Sequence, residues 1–163
     1  MSDIKQLKDL MSEELPGISY QKKRLYRTNK KEVYKLFRII NNEVFDGVLP
    51  EPTIIVKSHM RKTWGECTSF YNRTKGKKSK CVLTLNHRWY CKQWLITILA
   101  HEMAHQYQWD IIGEERIKEG RLPLLGHGPS FYVFKKKLKE HNIALKSHFS
   151  IAKWFDTQNL FKC

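Results

Sequence analysis

Long apolar runs are missing from this 163-residue chain. The longest, Trp94-Leu95-Ile96 followed by Ile98-Leu99-Ala100, is broken by Thr97 and falls well short of the ~20 residues that span a bilayer. Residues 1–20 mix acidic and basic side chains and hold no apolar stretch of the secretory-signal kind. The expected location is therefore the cytoplasm, nucleoid-associated, or the host cytoplasm for a viral protein and the nucleus for a eukaryotic one. Cysteine is scarce. Cys67, Cys81, Cys91 and Cys163 show no CxxC spacing, which argues against a zinc ribbon. In a chain without a secretory signal they are expected as free thiols in a reducing compartment. Acidic residues are the last shortage: 16 Asp and Glu face 30 Lys and Arg, a net charge of +14. That surplus favours a polyanionic partner, nucleic acid first, although a solubilising basic surface accounts for the same charge.

What is present reads as one α+β domain without internal repeats or linkers. Residues 1–28 form a basic N-terminal segment in which 1–15 can make a short amphipathic helix, stopped at Pro16-Gly17. Asn29, with Glu32 three residues on, is a capping-box-like start. Val33, Leu36, Phe37, Ile40 and Val44 then recur at helical spacing, until Asp46-Gly47. Thr53–Val56, Trp64–Tyr71 and Cys81–Leu85 read as three strands, the last two joined by a turn-rich basic connection, 72–80, suited to a hairpin. In that hairpin Cys67 and Cys81 lie symmetrically about Thr74 and are expected as cross-strand neighbours. Residues 92–110 read as a long helix, 111–126 as a loop, and Pro129 opens a helix to about residue 140. Thus 29–140 is the domain and 141–163, with Phe149, Trp154, Phe155 and Phe161, a tail expected to pack back on it.

The informative segment is Leu95-Ile96-Thr97-Ile98-Leu99-Ala100-His101-Glu102-Met103-Ala104-His105. A helix apolar almost all round belongs in the centre of a protein. A buried, ionised Glu there costs several kcal/mol, at order of magnitude, unless something compensates it. His101 and His105 are four apart and share a helical face, so both rings reach one metal ion. Glu102 is rotated by about 100 degrees from that face, close enough to take a proton from a water at the metal without ligating it. Zinc, the expected cofactor, needs a third protein ligand. The extended H-E-x-x-H-x-x-G-x-x-H pattern fails, since Gln108 and Ile111 stand where Gly and His belong. Asp110, Glu114, Glu115 and Glu119 are possible carboxylate ligands. His127 is the better candidate, because Gly126 and Gly128 let its backbone approach closely and Pro129 starts a helix behind it. Tyr107 and His87 are guesses for an oxyanion donor. Arg73, Lys75, Lys77, Lys78 and Lys80 gather five positive charges on the 73–80 connection, an expected DNA contact to which Trp64 and Tyr71 can add stacking.

Leu36-Phe37 through Asn41, Gly47-Val48-Leu49-Pro50, Trp64-Gly65-Glu66-Cys67, Cys81–Asn86, Leu99–His105 and Gly126-His127-Gly128-Pro129-Ser130-Phe131 together resemble the SprT-like family, which includes the Spartan DNA–protein crosslink proteases. The resemblance runs from about Val33 to Leu138. It implies a small zincin fold with helices on a short three-stranded sheet, zinc on His101, His105 and His127, and Glu102 as catalytic acid and base. In the Spartan branch it further implies cleavage of proteins held on DNA. The expected member is a minimal form, without the C-terminal cysteine zinc ribbon and long partner-binding tails that many of the family carry. The expected protein is thus a monomeric zinc endopeptidase acting on DNA-associated protein. The competing readings are a zinc-stabilised nucleic-acid or transcription-associated binding protein, and a zinc hydrolase with a non-protein substrate.

Overall fold

The computed structural model describes residues 6–12, 24–58, 60 and 63–148. The elements run α1 (Gln6–Ser12), β1 (Tyr26–Arg27), α2 (Lys30–Glu43), β2 (Thr53–Lys57), β3 (Gly65–Thr68), β4 (Tyr71–Asn72), β5 (Lys77–Lys78), β6 (Val82–Asn86), β7 (Arg88–Trp89) and α3 (Lys92–Gln106). A π-helical turn (Tyr107–Ile112), α4 (Gly113–Lys118), a 3₁₀ turn (Pro129–Tyr132) and α5 (Lys135–Glu140) complete them. The class is α+β, and its main sheet has three strands in the order β2-β6-β3, parallel on one side of β6 and antiparallel on the other. The central strand β6 buries Leu83, Thr84, Leu85 and Asn86, as a strand covered on both faces must.

The start of α2 follows the sequence signal: Asn29 Oδ1 accepts from the Glu32 N–H at 2.9 Å. Val33, Leu36, Phe37 and Ile40 are buried on one face of that helix. Helix α1 packs on α2, with Leu7 and Met11 buried and Glu43 accepting from the Leu7 N–H, so the N-terminal stretch contributes to the core. Beyond α5, Ile143 and Leu145 are buried too, while 149–163, where Phe149, Trp154, Phe155 and Phe161 were expected to pack, lies outside the described residues.

Three expectations need correction. Residues 111–118 are not loop, because the α3 helix continues through the π turn into α4. Gly113 in that stretch serves close packing: a Cβ there would lie 3.2 Å from the Gln108 carbonyl oxygen and 3.4 Å from Pro123 Cβ. The Trp64–Tyr71 strand is split into β3 and β4. The pairs Tyr71↔Lys78 and Thr68↔Val82 leave two residues on one arm between them and three on the other, a bulge that shifts the register by one. Cys67 therefore faces Leu83, with Cys81 diagonal to it at a Cα separation of 6.6 Å. The two sulfurs are joined as a disulfide, so free thiols were the wrong expectation for this pair, which antiparallel pairing brings together. Cys91 is free and buried.

Candidate metal centre and catalytic carboxylate

Helix α3 is buried on nearly every side, including His101 and Glu102. The loop residue His127 comes to it from Gly126, whose φ of +82° is the left-handed conformation that glycine adopts freely. The ring centroids of His101, His105 and His127 lie 4.9–5.3 Å apart, and one nitrogen from each falls within 4.8 Å of the others. His127 Nε2 stands 3.4 Å from His101 Nε2. Buried Phe131 packs its ring 4.6–4.9 Å from all three imidazoles and braces them. These distances suit one ion bound by three nitrogens.

The imidazoles are also oriented from behind. His105 Nδ1 donates to Gln108 Oε1 at 2.9 Å, and Gln108 Nε2 donates to Ser130 Oγ at 2.9 Å. A proton on Nδ1 leaves the Nε2 lone pair free for a metal. The Lys146 carbonyl accepts from the His101 ring. Burial, with neighbouring His105 and His127, depresses His101 to a pKa of about 3; burial likewise lowers those of His105 and His127. All three are thus held as neutral imidazoles, the form that ligates a metal.

Glu102 points from the same helix toward strand β3. Burial pushes its carboxyl up to about 7, with a small push from Glu66, while the Cys67 N–H that donates to it acts the other way. Strand and helix approach closely because position 65 has no side chain. A Cβ on Gly65 would lie 2.8 Å from Leu85 Cδ2, 3.1 Å from Ile98 Cγ2 and 3.3 Å from Glu102 Cγ. The imidazoles and Glu102 open into one cleft of about 740 Å³, walled by Gly65–Tyr71 on one side and by Leu122, Pro123 and Leu125–His127 on another.

The family model for the SprT-like family matches residues 33–152, most of the chain. The chain belongs to the SprT-like family. No curated protein matches it.

Within this SprT-like domain the alternative carboxylate ligands stand apart from the imidazole trio. Asp110 and Glu114 pair with Lys78 Nζ at 2.9 and 3.3 Å, Glu119 pairs with Arg121, and Glu115 is exposed. Neither oxyanion guess lines the cleft. Tyr107 packs between Phe45 and Phe134, and His87 lies beside Thr28 and Val56. His148 stands nearer, its ring 6.1 Å from that of His127. Of the basic connection, Arg73, Lys75, Lys77 and Lys80 are exposed, whereas the Lys78 side chain is buried in its ion pairs and faces no solvent partner. Tyr71 and Arg73 line the cleft. Trp64 is packed against Trp89, Tyr90 and Trp94, and the Arg24 guanidinium covers it at 4.2 Å, so its ring offers no open stacking face.

Gln108, Phe131, Gly65 and His148 were not singled out for these roles beforehand. Gln108 had a readable signal: it sits three residues after His105, hence on a neighbouring part of the same helical surface. The other three act through contacts that only the tertiary fold makes. Among the described residues, no helix is long and apolar enough to cross a membrane.

Proposed function

We propose that the chain is a zinc-dependent endopeptidase that cuts protein held on DNA. The observation that carries this reading is a buried carboxyl, Glu102, beside three neutral imidazoles in an open cleft. His101, His105 and His127 would hold the ion, which supplies Lewis acidity toward a water and toward the carbonyl of the bond to be cut. Glu102 does the proton work. Its ordinary pKa would leave it a weak base near neutrality; at about 7 it can accept a proton from water and later release it to the departing amine. The Cys67 N–H holds its carboxylate in place during that exchange. Gln108 and the Lys146 carbonyl keep the imidazoles aimed.

DNA association is supported by the +14 charge and by exposed Arg73, Lys75, Lys77 and Lys80 beside the cleft wall. The competing role, a zinc-stabilised binding protein, has no use for a buried carboxyl with a raised pKa, and Glu102 weighs against it. The test is to incubate zinc-loaded protein with a protein crosslinked to DNA and with the same protein free. The expected result is faster cleavage of the crosslinked form. Replacing Arg73, Lys75, Lys77 and Lys80 with Ser should remove that advantage and reduce the log–log salt slope of DNA binding by roughly 3 to 4. Equal cleavage of both forms, with an unchanged slope, would refute the DNA part of the proposal.

A further inference from the structure

Eight large apolar side chains are exposed among the described residues, and three of them, Phe70, Leu122 and Leu125, line the metal-site cleft. Leu125 and Phe70 are also the most exposed of the eight, at 75% and 66%. They come from separate parts of the chain. Phe70 sits between β3 and β4, and Leu122 and Leu125 lie on the loop that delivers His127. Leu124, on the same loop, does not line the cleft, and Leu25, Val48, Ile55 and Val133 belong to four other stretches and line no part of it. Scattered exposed apolar residues are ordinary, but a cluster bordering a polar reactive floor marks a binding surface.

The neighbouring backbone indicates how a ligand would lie. Strand β3 has β6 on one side and, among the described residues, no strand on the other. The Cys67 N–H is turned to Glu102 and away from β6, so the free edge of β3 borders the catalytic carboxyl. A chain laid along such an edge is extended and presents alternate side chains to the same face.

We infer that Phe70, Leu122 and Leu125 form the specificity subsites of this cleft. They select a large apolar side chain next to the bond to be cut, within an extended segment. The inference rests on the peptidase reading and adds its substrate class: stretches rich in large apolar residues, which folded proteins keep buried and unfolded ones expose. The chain would therefore act on loosened or unfolded protein in preference to polar surface loops.

The test separates binding from turnover. Fluorescent peptides identical but for one position (Leu, Phe, Ser or Asp) are titrated into zinc-loaded Glu102→Gln protein by anisotropy, and their cleavage by the unaltered enzyme is measured as kcat/KM. Leu and Phe peptides should bind about tenfold or more tighter than Ser and Asp peptides, the range that an apolar pocket achieves. Phe70→Ser and Leu125→Ser should cut that preference to less than about threefold in both measurements, with melting curves unchanged because both side chains are exposed. Equal binding across the series, or a preference untouched in both variants, would overturn the inference. Cleavage without apolar preference would sink it while leaving the peptidase reading intact. Apolar-selective binding without cleavage would do the reverse. Concentration-dependent self-association that both variants abolish, with peptide selectivity unchanged, would assign these side chains to a second copy and likewise overturn it.

Discussion

Replacing Glu102 with Gln should stabilise the metal-free protein at pH 8 and leave it unchanged at pH 4. Burial raises this carboxyl from 4.5 to about 7 in the folded chain, whereas the unfolded chain keeps the ordinary value. Folded protein therefore holds the proton over a range where unfolded protein has lost it. The stability tied to the protonated form is fully present below about 4.5 and is lost as pH rises through about 7. At about 1.4 kcal/mol per pH unit, that interval corresponds to about 3 kcal/mol. Gln has nearly the same shape and never ionises, so Glu102→Gln should avoid the loss. Urea denaturation of both proteins in chelator, at half-unit steps from pH 4 to 8.5, measures the difference directly. The curves should start together and separate by about 3 kcal/mol, the variant being the more stable at high pH. Curves that stay parallel, or wild type becoming the more stable as pH rises, would show that burial does not raise the Glu102 carboxyl, and its basicity near neutrality would be refuted.

Gly65→Ala forces a Cβ to within 2.8 Å of Leu85 Cδ2 and 3.3 Å of Glu102 Cγ; it should cost about 1–3 kcal/mol in denaturant and lower peptidase activity. Full stability with full activity would mean that strand and helix do not approach as closely as described. Gln108→Ala removes the partner of His105 Nδ1 and should weaken zinc affinity roughly 10- to 100-fold in a chelator competition, the helix itself remaining folded by circular dichroism. Lys78→Ala leaves the buried Asp110 carboxylate with the Gln106 amide but no cation and should destabilise by about 3 kcal/mol, while Lys75→Ala, on the same connection but exposed, should change stability by less than about 0.5 kcal/mol.

The local signals of the sequence carried as far as local physics does. Asn29 caps α2 because its side chain reaches an N–H three residues away, and His101 and His105 share a face because helical spacing requires it. Beside His127, Gly126 takes the left-handed backbone that its type allows, whereas Gly128 is extended with open space around it and is not required by a close approach. Long-range choices were the ones hidden. Lys78 looked like one more exposed cation, and nothing near it in sequence reveals Asp110, 32 residues on, as its partner. Gly113 resembles a loop residue until Pro123 is seen to fold over it. The one-residue bulge between β4–β5 and β3–β6 decides which residue Cys67 faces, and no side chain in the connection announces it. Trp64 reads as a free aromatic until Arg24 is found stacked on its ring.

On the proposed function, three imidazoles and one carboxyl form a single hydrolytic centre. The most direct test is to supply an unstructured protein to four preparations: the zinc-loaded chain, the same chain stripped of metal, His127→Ala and Glu102→Gln, each with its zinc content measured. Zinc-loaded protein should carry one ion per chain and cut the substrate, and Glu102→Gln should keep its ion without cutting. His127→Ala should lose most of its metal and its activity. A full equivalent of zinc in His127→Ala, or cleavage by Glu102→Gln at the unaltered rate, would contradict the account.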